Sequence, residues 1–349
     1  RWINFGIMNM QTIILEKPEH FVFTETSIPD EIPDGHALVA VRRIGICGTD
    51  LHAYRGHQPF FSYPRILGHE LGVEILDTDS NEFQLRTGDT CAVEPYLTCG
   101  YCIACRRHKP NCCTQMQVLG VQTDGGMREQ IIVPLTKLHQ SKKLSLDQLS
   151  LVETLGIGAH AVDRAGLESE DCVLVIGAGP IGLSGIQFPQ LAGVKLLVMD
   201  VNQNRLDFCE QHFSLYATVR AQEDPLKQIK SLTGGDLPTV VFDATGNAKS
   251  MQTAFSYVAN GGKLVFVGLV QSEISFFDPE FHRREITLLA TRNSTPKDFR
   301  RIIELVEQGQ IDTNPWITHR SSFREMISAF PNWLKPESHT IKAVVSLDD

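Results

Sequence analysis

The sequence predicts an α/β protein of two domains, one β-rich and one a doubly wound parallel sheet, on three observations. From Asp171 onward, apolar strand-like runs alternate with helical segments, the pattern of a parallel sheet covered on both faces. Before about residue 150, short extended runs are punctuated by Gly and Pro turns, as in an irregular β barrel. A chain of 349 residues is long enough for two separate cores.

The elements follow in order. A first strand pattern begins at Thr12, and runs at 37–44 and 72–76 read as strands bounded by turns at 33–35 and 86–89. A cysteine-rich excursion at about 94–116 interrupts them. Residues 155–165 read as a helix leading into the alternating region. There, strands are expected at 172–176, 195–199, 239–243 and 263–267, with helices at 204–212 and 248–258. Beyond about 290 the alternation stops. Residues 298–309 form a helix with a glycine stop, and 341–345 a closing strand that rejoins the first domain. The domains are therefore expected at 10–153 with 291–349, and at 154–290.

Composition narrows the partners. A net charge of -9 and a pI near 5.7 disfavour nucleic acid and anionic membrane surfaces, which call for a basic face. No apolar run approaches the ~20 residues that cross a bilayer. The leader through Met10 has one basic residue and no cleavable apolar core, so it does not read as a signal peptide. A cytoplasmic location is expected, where thiols stay reduced.

Cys99, Cys102, Cys105 and Cys113 are separated by two, two and seven residues. That spacing wraps four thiolates around one tetrahedral zinc and favours metal over disulfides. Cys112 precedes the last of them and competes with it as fourth ligand. With four protein ligands such a site is closed and therefore structural, so the chemistry must lie elsewhere.

A glycine motif, Gly177-Ala-Gly179-Pro180-Ile181-Gly182, follows an apolar strand and opens a helix. This is the context a dinucleotide site requires: a tight turn, close approach of the pyrophosphate, and helix–strand packing. The helix N-terminus adds amide donors for phosphate. Asp200 ends the next strand, where a carboxylate accepts from the ribose hydroxyls and repels a 2′-phosphate, so NAD is expected over NADP. Arg205 lies five residues on and can stack on adenine. Asp200 as a plain helix cap, and FAD as the dinucleotide, are the alternatives.

Two upstream fragments offer metal chemistry: Cys47-Gly-Thr49-Asp-Leu-His52 and Gly-His69-Glu70. A catalytic zinc needs three protein ligands and an open position, and Cys47 and His69 supply two.

With these motifs the chain, from Thr12 to Leu347, resembles the zinc-dependent medium-chain dehydrogenases, in the branch of sorbitol, other polyol and threonine dehydrogenases. The resemblance implies a GroES-like catalytic domain beside a Rossmann domain, and two Zn²⁺ per chain with NAD. It makes Cys47 and His69 zinc ligands and Thr49 with His52 a proton relay. The third ligand is Glu153, where Thr154 replaces the usual proline, or Glu70. Either choice pairs the metal with one thiolate and one carboxylate, a formally neutral site, whereas the quartet would carry two negative charges. Thr245, Val267, Gly268 and Leu269 are implied to line the nicotinamide side.

The implied reaction takes a hydride from a secondary alcohol to NAD, giving a ketone and NADH. Tyr54, Arg55, Phe60 and Phe61 are expected to wall the substrate pocket, with Glu94, Pro95 and Tyr96 approaching from the cysteine lobe. Arg292 matches an arginine near polyol substrate in the sorbitol branch, which favours a polyol, sugar or hydroxy sugar acid; otherwise it pairs with an acid such as Glu94 or Asp298. The alternatives are a threonine-type or simple secondary-alcohol dehydrogenase, and a non-catalytic NAD-binding relative. A homodimer or homotetramer is expected, with apolar strands at 263–269 and 274–277 continuing a sheet across a two-fold axis.

Overall fold

The computed structural model describes residues 9–59 and 61–348; the leader through Met8, Phe60 and Asp349 lie outside them. The chain divides into two compact units, Arg1–Glu153 with Thr295–Asp349, and Thr154–Ser294. Residues 291–294, expected with the first unit, go with the second. The reason is local: the strand Thr287–Ala290 continues its pairing through the Thr291 amide, which donates to the Phe266 carbonyl at 3.2 Å. The next helix starts only at the Thr295 cap.

The first unit is built on the strand His36–Ile46, whose alternating Ala, Val and Ile residues are almost all buried. It pairs antiparallel with Glu70–Thr78 along one edge, and with Gln130–Pro134 and then Lys342–Ser346 along the other. The sheet extends through Thr90–Val93 to Leu138–Gln140 at one end and Ile317–Ser322 at the other. The closing strand thus does rejoin the first sheet. Its core is aliphatic around Val39, Val41, Ile44, Leu71, Val73 and Val345, with an aromatic corner of Phe21, Tyr54, Phe330 and Trp333. The helix Met326–Trp333 that carries this corner, and the strand Ile317–Ser322, carried no clear sequence signal. The cysteine lobe is clipped at its base by pairing of Tyr96–Leu97 with Gln117–Val118.

The register of this sheet positions the site. Gly45 lies opposite Glu70, and a methyl group on Gly45 would sit 2.2 Å from Glu70 Oε2. Only glycine lets that carboxylate fold down over the neighbouring strand.

The second unit is a six-stranded parallel sheet. In space its order is Ala217–Arg220, Lys195–Asp200, Cys172–Ile176, Val240–Asp243, Lys263–Phe266, Thr287–Ala290. Numbered along the chain this is 3-2-1-4-5-6, the doubly wound order of dinucleotide-binding folds, with its switch point between Cys172–Ile176 and Val240–Asp243. The strands at 217–220 and 287–290 were absent from the sequence reading because each is only four residues long and lacks the continuously buried pattern of the central strands. Residues 274–277 form no strand; the sheet edge is Thr287–Ala290. Among the described residues no helix is long and apolar enough to cross a membrane.

Candidate active site

The site begins with Cys47, which caps the helix Gly48–Tyr54 in extended geometry. Its amide donates to Asp50 Oδ2 at 2.9 Å, closing a capping box that fixes where the thiol points. His69 and Glu70 enter from the start of the facing strand. One ligand atom from each of Cys47, His69 and Glu70 lies within 4.8 Å of the others. His69 and Glu70 are buried and Cys47 partly so.

Two orphaned atoms show that the trio fits a metal ion. His69 Nδ1 and Asp50 Oδ1 are buried without hydrogen-bond partners and face each other at 3.6 Å. Closing that gap gives the carboxylate–histidine pair that fixes the tautomer of a metal-bound imidazole. The other ring nitrogen is within hydrogen-bonding reach of the Cys47 thiol. Burial disfavours a charged His69 ring, but Asp50, Cys47 and Glu153 outweigh it and hold its pKa well above the usual value. Zinc has the donor set it prefers here: thiolate, imidazole and carboxylate.

Glu153 lies in the first turn of the helix Val152–Ala165 and is buried. Its Oε1 accepts a short hydrogen bond from the buried Tyr96 hydroxyl. It stands beside the trio as a charge felt by His69, and burial raises its pKa. Burial likewise raises that of Asp50.

Lys342 is the residue the sequence reading missed. Its ammonium is buried and donates to both Glu70 oxygens at 2.7 Å and to the Ile46 carbonyl at 3.3 Å. A signal did exist: a lysine inside an apolar closing strand needs a buried acid.

Thr49 and His52 occupy the helix after Cys47. Desolvation, His57 and Arg55 together hold the His52 ring below its ordinary pKa, so it is neutral and able to take a proton near pH 7. Tyr54 is a correction. Its ring is spent in the core, 5.3 Å from Phe21 and 5.0 Å from Phe330. Arg55 is anchored through Nη2 to the Leu334 carbonyl at 3.2 Å. Glu94 is taken up by Lys137 and by His139 at 3.1 Å, while Asp298 caps its helix through Thr295. Arg292 follows the last sheet strand of the second unit and is exposed.

The cysteine lobe fits zinc on geometry. Cys102–Cys105 and Cys99–Cys113 sulfurs lie 3.5 Å apart and Cys102–Cys113 4.0 Å, while a tetrahedron with bonds of about 2.3 Å needs about 3.8 Å. These distances exclude disulfides. Cys113 is the fourth member, and Cys112 points to solvent. Amide donors from Cys105 and Thr114 bring the Cys102 thiol down to about 5, while burial and the neighbouring Cys102, Cys113 and Cys99 side chains push that of Cys105 up to about 12. Cys102→Ser is expected to remove one zinc per chain and cost about 3 kcal/mol, lowering Tm by roughly 6–12 °C. Turnover at low temperature should change far less; the reverse pattern would mean that the roles of the two sites have been exchanged.

In the second unit the glycine motif forms a tight turn. Gly177 has φ 95° and Gly179 caps the helix Pro180–Ala192. A methyl group on Gly182 would meet the Gly177 carbonyl oxygen at 1.7 Å. Asp200 shapes the same turn: it accepts from the Ala178 amide at 2.6 Å and the Asn202 amide at 2.7 Å. Arg205 lies 3.9 Å from Asp200 and beside Gly179. Across the switch point, Asp243 holds the Thr245 amide and hydroxyl at 2.9 and 2.6 Å. Gly246 and Gly268 pack backbone to backbone there, with Val267 and Leu269 flanking Gly268.

Fold and sites define a metal- and dinucleotide-dependent oxidoreductase. The chain belongs to the zinc-dependent medium-chain dehydrogenase family: residues 33–143 match the alcohol dehydrogenase GroES-like domain and 180–308 the zinc-binding dehydrogenase domain. It is 37% identical over 338 residues to L-galactonate-5-dehydrogenase of Escherichia coli K12, covering 97% of this chain and 99% of that one. Sorbitol dehydrogenase of Bacillus subtilis is 30% identical, with 97% of both chains covered. Among solved structures, RspB of Escherichia coli CFT073, complexed with NADH, superposes with a TM-score of 0.90 at 28% identity, covering 98% of this chain and 100% of that one.

Proposed function

We propose that the protein oxidises a secondary alcohol of a polyhydroxy substrate, a polyol or a hydroxy sugar acid, to the ketone, passing the hydride to NAD. The observation that carries this reading is the Cys47–His69–Glu70 trio with its orphaned His69–Asp50 pair. The substrate class is supported by the relatives named for L-galactonate and sorbitol. Cys47, His69 and one of Glu70 and Glu153 would hold the catalytic zinc, and the cysteine quartet the structural one. When bound, zinc supplies Lewis-acid charge that acidifies a hydroxyl, and NAD supplies the hydride acceptor.

The protein's own part is to orient and to move a proton. Asp50 holds the His69 ring, Thr49 carries the substrate proton outward, and neutral His52 receives it. Burial of Asp50, Glu70, Glu153 and Lys342 keeps the site dry, which strengthens each charge acting in it. The Gly177–Gly182 turn binds the pyrophosphate, Asp200 the ribose, and Arg205 the adenine. Thr245, Val267, Gly268 and Leu269 line the nicotinamide side.

The test is zinc per chain by elemental analysis together with an NAD-reduction screen of aldonates, polyols, threonine and simple alcohols. Two zincs and turnover of one polyhydroxy substrate are expected. Turnover of threonine or simple alcohols alone would move the protein to another branch, and one zinc without turnover would leave only a structural metal. Asp200→Ala removes charge-assisted hydrogen bonds worth about 1.5–3 kcal/mol, so NAD should weaken by roughly 10–100-fold and NADP by less. Equal loss for both cofactors would remove Asp200 from cofactor choice.

A homo-oligomer in the cytoplasm completes the proposal. The edge strand Thr287–Ala290 is exposed, and beside it Phe255, Phe276, Phe281 and Ile286 line a hollow of about 240 Å³. A second copy can cover both. The prediction is a mass of at least two chains in solution.

A further inference from the structure

The second unit buries two carboxylates, Asp200 and Asp243, at the ends of the strands on either side of Cys172–Ile176. Asp200 has Arg205 at 3.9 Å. Asp243 is fully buried, and among the described residues no cation pairs with it. Its partners are all neutral. Oδ1 accepts from the Thr245 amide and hydroxyl at 2.9 and 2.6 Å, and Oδ2 from the Ser250 hydroxyl at 2.7 Å. The Thr245 hydroxyl itself accepts from the Asn247 amide at 3.1 Å, which directs its own proton to Asp243. This acceptor-only pattern is that of an ionised carboxylate. In the first unit, by contrast, Lys342 pairs with the buried Glu70 and Lys137 with the buried Glu94. A buried charge without a counter-charge is costly, and the turn does not require one. An asparagine could offer its carbonyl oxygen to Thr245 and its amide to Ser250.

The position of Asp243 suggests what the charge is for. Its main-chain carbonyl accepts from the Val267 and Gly268 amides at 2.9 and 3.0 Å, and the next amide, of Ala244, donates to the Ile176 carbonyl at 2.9 Å. Asp243 thus ties together both turns that line the nicotinamide side in the reading above, at the switch point where a dinucleotide crevice opens. The nicotinamide ring is cationic in NAD and neutral in NADH. We propose that Asp243 is a positioning residue that also sets the redox poise of the bound cofactor: its unpaired buried charge favours NAD over NADH and lowers the potential of the bound couple. Product NADH then competes less well with fresh NAD. The inference rests on the dinucleotide reading and adds to it a preference for one oxidation state. One unit charge acting over about 10 Å in an effective dielectric of about 20 moves such a ratio roughly tenfold. For a two-electron couple, tenfold is about 30 mV.

The test is a set of three dissociation constants on the full-length protein. NADH is measured by fluorescence titration, and NAD and ADP-ribose by displacement of bound NADH; ADP-ribose lacks the nicotinamide and serves as the uncharged reference. In Asp243→Asn, NAD should weaken roughly tenfold more than NADH, with ADP-ribose following NADH. Ser250→Ala removes a donor but keeps the charge, so all three ligands should change together. Equal weakening of all three in Asp243→Asn would reduce Asp243 to a prop for the turn and overturn the proposal. So would a Ser250→Ala protein whose NAD-to-NADH ratio moves as far as that of Asp243→Asn. If Asp243→Asn does not fold, Ser250→Lys carries the test: an ammonium beside Oδ2 should shift the ratio in the same direction, and a parent ratio there would sink the idea. A parent protein that binds neither NADH nor ADP-ribose would remove the dinucleotide reading and this inference with it.

Discussion

Cys47→Ser is expected to cost about three orders of magnitude or more in turnover while the fold and NADH binding survive. The thiol sits on a capped helix end whose capping box runs through Asp50. A serine hydroxyl can occupy that place without disturbing the sheet. What it cannot do is bind zinc as a thiolate does. A catalytic metal supplies several kcal/mol of transition-state charge stabilisation. Losing about 4 kcal/mol at roughly 1.4 kcal/mol per decade gives a fall of about 10³. Elemental analysis should show one zinc fewer per chain, with unchanged circular dichroism and NADH fluorescence titration. A Cys47→Ser protein that keeps its second zinc and its rate would place the chemistry elsewhere.

Gly182→Ala should be the most damaging single methyl group in the second unit. Its Cβ would stand 1.7 Å from the Gly177 carbonyl oxygen and 2.7 Å from the carbonyl carbon, both backbone atoms of the turn that receives the pyrophosphate. No rotamer change can relieve that contact, so the turn itself must open. Overpacking of this kind costs about 3 kcal/mol. Taken from the bound state, that is roughly 100-fold in NADH Kd. Fluorescence titration and a thermal melt test it. Parent-like affinity would mean that the turn tolerates widening and that Gly182 is not needed for close packing. Gly179→Ala offers a contrast, since its added methyl meets only the flexible Arg205 side chain at 3.6 Å.

Legibility in the sequence followed the range of the interactions involved. The strand at 172–176, the glycine turn and Asp200 lie within 30 residues of one another, and their pattern carries their geometry. The cysteine quartet is equally local, and only the choice between Cys112 and Cys113 needed coordinates. The short strands at 217–220 and 287–290 escaped notice because they are strands by partnership and not by composition. Tyr54 was misread as a pocket wall because nothing near it in sequence announces Phe330, against which it packs.

The sequence by itself determined the class of protein: the doubly wound sheet, the dinucleotide turn and the two metal motifs. Each is encoded by residue types at short spacing, where the backbone leaves little freedom. The tertiary structure decided how the site's charges are balanced. Lys342 meets Glu70 across 272 positions and Tyr96 meets Glu153 across 57, contacts that exist only because the closing strand pairs beside Ile46 and the lobe folds back. Their physical reason is desolvation: buried charges must find partners wherever the fold brings them together, and spacing along the chain does not record which partner that is.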